Sequence, residues 1–248
     1  ARSPRTQGTP CACEAPRPLP CAAPRSPEGC RGCPTLQAPQ RQPTWSWPEV
    51  EGQRIDREGY TLIWDEQIRF PKMIAYELTR KELNGSKSCG VRYHSDPDVD
   101  EYSDKGYQGA ADQGFEKGHL LPAAHSRFSV KSCLDASYYS NIQPQRDSLN
   151  RGAWKASDDR AELLVKRHGV VYVHSGPVPI YSDSLPSGMP LPSGFWKVLI
   201  YPDGVLWKKE SYLFTQEPKR YTLPEMECGD DIAIEWLIGF EPFDRSKF

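Results

Sequence analysis

The sequence predicts an α+β fold with a mixed, largely antiparallel central sheet and flanking helices. Three observations predict it: short segments rich in β-branched and aromatic residues, one clear hairpin, and one helical segment between two strands. Hydrophobic residues make up 38% of the 248 positions, which is enough for a globular core. No apolar run reaches the roughly 20 residues that a membrane span needs, so we expect none.

The strands are predicted where such segments end at turn residues. Residues 60–64, 73–78 and 170–175 have this character. The hairpin runs from 195–201 through Pro-Asp-Gly into 205–209, because that tripeptide favours a tight turn. Apolar residues at helical spacing predict a helix over 153–167 that ends at Gly169.

Residues 1–48 are predicted to be an irregular Pro/Cys-rich extension, and residues 49–248 a single globular domain. The extension holds eleven of the 24 prolines and almost no large aliphatic residues, so it cannot bury a core of its own. It is locally basic, although the whole chain has a formal charge of -2. Two roles stay open for it: capture of a polyanion, or a solvated spacer.

Cysteine usage suggests an oxidising compartment. Five of the eight cysteines lie in the first 33 residues, which favours disulfides there. A zinc site is the alternative, because Cys30 and Cys33 have the spacing of zinc ligands. The sequence cannot pair Cys89, Cys133 and Cys228. We therefore expect a secreted or periplasmic protein, with its disulfide connectivity undetermined.

A candidate general base lies in the segment Phe-Glu-Lys-Gly-His at 115–119. A neutral imidazole, with an ordinary pKa near 6.5, can take a proton from water at neutral pH. Its second nitrogen would then need an acceptor to hold the ring. A lone histidine is more often structural, so the interpretation of His119 depends on its neighbours.

Two asparagines and an aspartate follow His119 along the chain. Asn150 offers the neutral oxygen that a hard cation such as Mg²⁺ accepts while keeping most of its water. Asp158 lies two helical turns further on, at a distance suited to holding the waters of the cation. Asn141 lies in a Ser-Asn-Ile-Gln-Pro-Gln segment whose proline fixes the backbone. Asn150 could also be a helix N-cap, and Asn141 an ordinary turn residue.

These motifs together resemble the DNA/RNA non-specific endonucleases of the ββα-metal, or His-Me finger, superfamily. Residues 116–119 stand where that family has Asp-Arg-Gly-His, and the segments 140–145 and 149–154 resemble its second block with little change. The resemblance covers roughly residues 60–243 and implies a ββα-metal motif at the active site. It makes His119 the general base, Asn150 the metal ligand, and Asn141 a supporting site residue.

The same resemblance suggests further site residues and shows departures from the family pattern. Arg92 lies in a segment similar to the one with the family's phosphate-binding arginine. Lys117 replaces an arginine, which keeps the charge and loses the bidentate geometry. Glu116 replaces an aspartate, and Asp158 stands where a glutamate is usual, so each carboxylate moves by about one methylene.

The implied activity is metal-dependent hydrolysis of phosphodiester bonds in DNA and RNA, leaving 5′-phosphate and 3′-hydroxyl ends. Mg²⁺ is the expected cofactor, and ligand type leaves Mn²⁺ and Ca²⁺ open. The resemblance also leaves a homodimer open. Two other function classes remain: a catalytically silent relative that binds nucleic acid or protein, and an extracellular interaction module whose active part is the extension.

Overall fold

The computed structural model describes residues 47–90, 92–229 and 231–248 of the chain. These residues form the following strands: β1 (Gln53–Asp56), β2 (Thr61–Asp65), β3 (Phe70–Thr79), β4 (Phe115–His119), β5 (Ile142–Arg146), β6 (Val170–Val178), β7 (Asp183–Ser184), β8 (Pro190–Leu191), β9 (Gly194–Asp203) and β10 (Leu206–Thr215). They also form these α-helices: α1 (Arg80–Leu83), α2 (Val130–Ala136), α3 (Asp147–Leu149), α4 (Lys155–His168) and α5 (Asp231–Ile238). The predicted extension lies almost wholly outside these residues and stays a prediction, as do the alternatives for its cysteines.

Six strands build the central sheet in the order β1-β2-β3-β6-β9-β10. Every neighbouring pair is antiparallel. Each predicted strand segment lies in this sheet, and the hairpin turns at Gly204, whose φ of 68° suits a residue without a Cβ. The predicted α+β class and the largely antiparallel sheet are confirmed.

Both faces of the central sheet are covered, and β9 is therefore buried along almost its whole length. Phe195 and Leu199 belong to the core on the α4 side. Trp196 and Val198 belong to the opposite core, which includes Ile234 of α5. Successive side chains of a strand point to opposite faces of the sheet. A strand that is covered on both faces therefore needs apolar residues at odd and at even positions.

A second, two-stranded sheet pairs β4 with β5 in an antiparallel register that sets His119 opposite Ile142. Gly118 is needed in this pair, because a Cβ there would collide with the side chain of Gln145. The chain then continues from β5 into α3 and α4. Two strands followed by a helix form the ββα arrangement that the resemblance implied.

The helix after β5 begins earlier than predicted. A π-helical turn, Asn150–Trp154, joins α3 to α4, and the run is kinked at Gly152. Asn150 has helical dihedral angles (φ -56°, ψ -46°), so the interpretation of this residue as an N-cap is wrong. The helix ends at Gly169 as predicted, with φ of 91°. A π-turn at this point is typical of helices that carry functional groups.

A disulfide joins Cys89 to Cys133, two of the three body cysteines that the sequence could not pair. The loop that it closes has a sequence separation of 44 and contains Arg92, Lys117 and His119. In the part of the chain that is described, no helix is both long and apolar enough to cross a membrane.

Candidate active site

β4 and the π-turn bring Glu116 and Asn150 together, although 34 residues separate them in sequence. The Nδ2 atom of Asn150 donates a hydrogen bond to Glu116 Oε2 at 2.9 Å. Because the amide nitrogen of Asn150 donates to a carboxylate, its Oδ1 remains available as an acceptor or metal ligand. Asn150 is half-buried, so the geometry fixes the orientation of an oxygen that remains accessible.

Glu116 also binds Arg151, a residue that no motif of the sequence marked as part of the site. Arg151 Nε lies 3.1 Å from Glu116 Oε2, and its terminal nitrogen donates to Oε1. Glu116 thus accepts from two successive residues of the π-turn. This arrangement clamps β4 to the start of the helix, and the signal for it in the sequence was an arginine directly after Asn150.

His119 is half-buried at the end of β4. Its carbonyl oxygen accepts a hydrogen bond of 3.0 Å from Trp154 Nε1, and its ring lies 5.5 Å from that of Tyr93. Burial lowers the pKa of His119 from 6.5 to about 4, which keeps the imidazole neutral at neutral pH. Among the described residues no acceptor holds the ring nitrogens, so the expected orienting partner is not seen.

Asn141 contacts the backbone that directly follows His119. It is fully buried, and its Oδ1 accepts from Leu121 N at 2.8 Å. Its Nδ2 donates to Leu121 O at 3.0 Å and to Ala136 O at 2.8 Å. These bonds occupy the amide and hold the backbone just after His119. This geometry is compatible with the supporting role expected for Asn141, which stays a prediction.

Lys117 does not project freely toward a substrate. Its ammonium forms an ion pair with Asp104 and lies 5.2 Å from the ring centroid of Tyr93 and 5.4 Å from those of Tyr107 and Tyr139. A cation over aromatic faces is stabilised by their negative quadrupoles. Lys117 and Tyr139 together hold the pKa of Asp104 below its usual value. The Lys117 ammonium is thus engaged by contacts within the protein, and its role in catalysis stays a prediction.

Arg92 lies near Lys117, and both line one groove of about 800 Å³ together with Tyr93, Ser103 and Lys105. The Arg92 side chain is exposed and makes no ion pair within the described residues. Its position three residues after Cys89 ties its segment to α2 through the disulfide. Arg92 therefore remains free to meet an anion in this groove.

Asp158 has a partner that the sequence did not suggest. Its Oδ1 lies 2.5 Å from Nζ of Lys197, a fully buried lysine of β9. The same Nζ lies 3.7 Å from the ring centroid of Trp154. Burial lowers the pKa of Lys197, while the Asp158 carboxylate opposes that shift. The predicted link from Asp158 to metal-bound water stays a prediction.

The site fits a hard, hydrated cation held by few protein atoms. Asn150 presents one neutral oxygen beside the Glu116 carboxylate. The described residues include no cluster of three or more His, Cys, Asp or Glu side chains that would suit a tightly chelated metal. Mg²⁺ usually keeps several waters and needs only one or two protein ligands, so this donor set is compatible with it.

Comparison with known proteins places this sequence in a family. Residues 47–235 match the sequence profile of the DNA/RNA non-specific endonucleases. The chain belongs to this family. It is 28% identical to the mitochondrial endonuclease G of Bos taurus over 92% of this chain and 78% of that protein. It is 30% identical to the nuclease of Serratia marcescens, over 73% of this chain and 74% of the other.

The fold of this non-specific endonuclease family is also seen in a chain of the crystal structure of the EndoG/EndoGI complex. The two chains superpose with a TM-score of 0.72, at 19% identity, over 82% of this chain and 91% of the other. At that identity the likeness concerns the fold alone. The suspected family membership is confirmed, and the chain is a nuclease by family.

Proposed function

We propose that this chain is a metal-dependent endonuclease that hydrolyses DNA and RNA to 5′-phosphate and 3′-hydroxyl ends. The single observation that carries the proposal is the Glu116–Asn150 hydrogen bond of 2.9 Å, which leaves Asn150 Oδ1 available beside β4, the strand that ends at the half-buried, neutral imidazole of His119. A metal ligand and a proton acceptor on adjoining elements are what hydrolysis of a phosphodiester requires.

Each residue has a defined task in this proposal. His119 accepts the proton of the attacking water at an imidazole nitrogen, and Trp154 fixes the histidine backbone through its bond to the carbonyl. Asn150 offers Oδ1 to the cation, and Glu116 holds the amide in the required orientation. Arg92 donates hydrogen bonds to a phosphate oxygen. A bound Mg²⁺ would supply the positive charge that stabilises the phosphate and the departing oxygen.

Substrate breadth follows from which groups face the ligand. Arg92 and Asn150 address phosphate oxygens, directly or through a cation, and carry no information about base identity. We therefore expect weak sequence preference and cleavage of both DNA and RNA. Mg²⁺ is the proposed cofactor, with Mn²⁺ and Ca²⁺ as alternatives to be compared in the same assay.

The test is cleavage of supercoiled plasmid and of single-stranded RNA, each with Mg²⁺ and with EDTA. His119→Ala should abolish both activities, and Asn150→Ala should raise the Mg²⁺ concentration needed for half-maximal rate. His168→Ala is the matched control, because it removes a histidine at the opposite end of α4. Inactivity of the folded intact chain with all three metals would favour the catalytically silent alternative.

We also propose an extracytoplasmic location, supported by the Cys89–Cys133 disulfide, which is typical of oxidising compartments. Tagged protein should then be recovered outside the cytoplasm in the oxidised form. A homodimer is the proposed alternative to a monomer, and the molar mass measured by light scattering distinguishes the two. A reduced, cytoplasmic protein would contradict the proposed location.

A further inference from the structure

Two adjoining depressions meet at Tyr93. The larger, about 800 Å³, extends to Arg92 and Lys105. The smaller, about 470 Å³, extends to Asn150. Tyr93 lines both, and both volumes lie within roughly the 300–1,000 Å³ typical of small-molecule sites. An extended nucleotide chain that runs from Arg92 to the proposed metal ligand must therefore pass the Tyr93 ring.

Tyr93 differs from the two tyrosines packed nearby. Tyr107 and Tyr139 are buried, and their hydroxyls donate to protein oxygens at 3.0 Å and 2.9 Å. Tyr93 is half-buried, and within the described residues its hydroxyl makes no hydrogen bond. Its ring centroid lies 5.9 Å from that of Tyr139 and 5.5 Å from that of His119. The ring is thus held in place by packing while part of its surface stays open.

Positive charge flanks this ring on the side of the larger depression. Arg92 and Lys105 are exposed, and neither forms an ion pair among the described residues. Lys117, by contrast, is engaged by Asp104. Two unpaired cations beside a partly open aromatic ring form the combination that binds single strands, in which cations hold phosphates and the ring stacks on a base.

We propose that Tyr93 is a stacking platform for an unpaired nucleobase, and that the site prefers single-stranded over duplex nucleic acid. In a duplex the faces of each base are covered by neighbouring bases, so only an unstacked base can lie on the ring. Stacking does not require a particular base, which agrees with weak sequence preference. The proposal rests on the proposed nuclease function for its substrate class.

The experiment compares cleavage of a short single-stranded DNA, its duplex, and the same single strand with one abasic residue beside a chosen phosphate. Tyr93→Leu should lower kcat/KM at that phosphate roughly 5- to 100-fold on the single strand, mainly through KM, and clearly less on the duplex. Tyr93→Phe keeps the ring and should retain the preference. In Tyr93→Leu the abasic residue should cause no further loss of kcat/KM, because the ring on which the missing base would stack is already absent.

Tyr181→Leu is the matched control, because Tyr181 is half-buried and lines neither depression. It should keep the ratio of single-strand to duplex cleavage. Equal losses by Tyr93→Leu on both substrates would overturn the proposal, since they would indicate that Tyr93 only supports His119. The proposal would also be overturned if the abasic residue lowered kcat/KM by the same factor in the wild-type protein and in Tyr93→Leu.

Failure of the nuclease function is distinguishable from failure of the platform. If the intact chain cleaves nothing, binding of the same oligonucleotides is measured by fluorescence anisotropy in EDTA. Weaker binding of the intact single strand by Tyr93→Leu, with unchanged binding of the abasic strand, would support the platform without catalysis. Equal affinities of the two proteins for the intact single strand would overturn it.

Discussion

Replacing Lys197 with methionine tests the buried ion pair behind the active site. Lys197 has no exposed surface, and the Asp158 side chain is only 13% exposed. The substitution keeps the volume and removes the cation, so the carboxylate loses its charged partner in a poorly solvated place. Breaking a buried pair in this way costs about 3–5 kcal/mol. Lost contact between the ammonium and the Trp154 ring acts in the same direction.

The assay is urea and thermal unfolding of the folded chain. For a body of this size each kcal/mol shifts Tm by about 2–4 °C, so Lys197→Met should lower Tm by roughly 6–20 °C. The double variant Lys197→Met/Asp158→Asn should recover most of the loss, because no uncompensated charge remains. Lys208→Met is the matched control: its ion pair with Asp203 is exposed, so unfolding should hardly change.

Enzymatic activity should respond to the same substitution. Trp154 contacts the Lys197 ammonium and also donates to the His119 carbonyl. Lys197→Met should therefore have a lower kcat even at temperatures well below its Tm, where it is folded. An unfolding free energy of Lys197→Met within about 1 kcal/mol of that of the original protein would show that the buried ion pair does not carry this stability. So would a double variant as unstable as the single one, because the residual carboxylate would then not be the cause.

Three further predictions concern His119, Lys117 and the disulfide. The acid limb of kcat/KM should fall near pH 4, not 6.5, because burial keeps His119 neutral in the folded protein. The free energy of unfolding should also decline as the pH falls from 6.5 to 4, since His119 takes up a proton in the unfolded chain at a higher pH than in the folded one. Asp104→Asn should lower KM roughly two- to fivefold at low salt by releasing Lys117, and high salt should erase the gain. Reducing Cys89–Cys133, whose separation is 44, should cost about 4 kcal/mol of unfolding free energy, and unchanged urea curves with dithiothreitol would contradict this.

The sheet was accessible from the sequence because its strands carry local patterns. Residues 195–201 and 205–209 lie in β9 and β10, and the turn between them needed a residue with positive φ. The helix boundary was less accessible. A π-turn breaks the regular spacing of apolar residues over Asn150–Trp154, so periodicity placed the helix start several residues late.

The site was predicted as a set of residue types and only partly as an arrangement. His119 and Asn150 were proposed as base and metal ligand because their motifs are short and specific. Asn141 was assigned to the site from its motif, but a motif does not say that every polar atom of the amide is used by backbone. Tyr93 had no distinguishing signal beyond an aromatic residue beside Arg92.

The α+β class, the strand segments, the candidate base and metal ligand, and the resemblance to a nuclease family could all be read from the order of residues alone. Only tertiary packing shows which charged side chains have partners. Lys117 is held by Asp104, Glu116 by Asn150, and Lys197 by Asp158, at separations of 13, 34 and 39 residues. Periodicity reports which face a residue occupies, because that depends on its neighbours in the chain. It carries no information on which distant side chain will lie opposite, because packing of whole elements sets that partner.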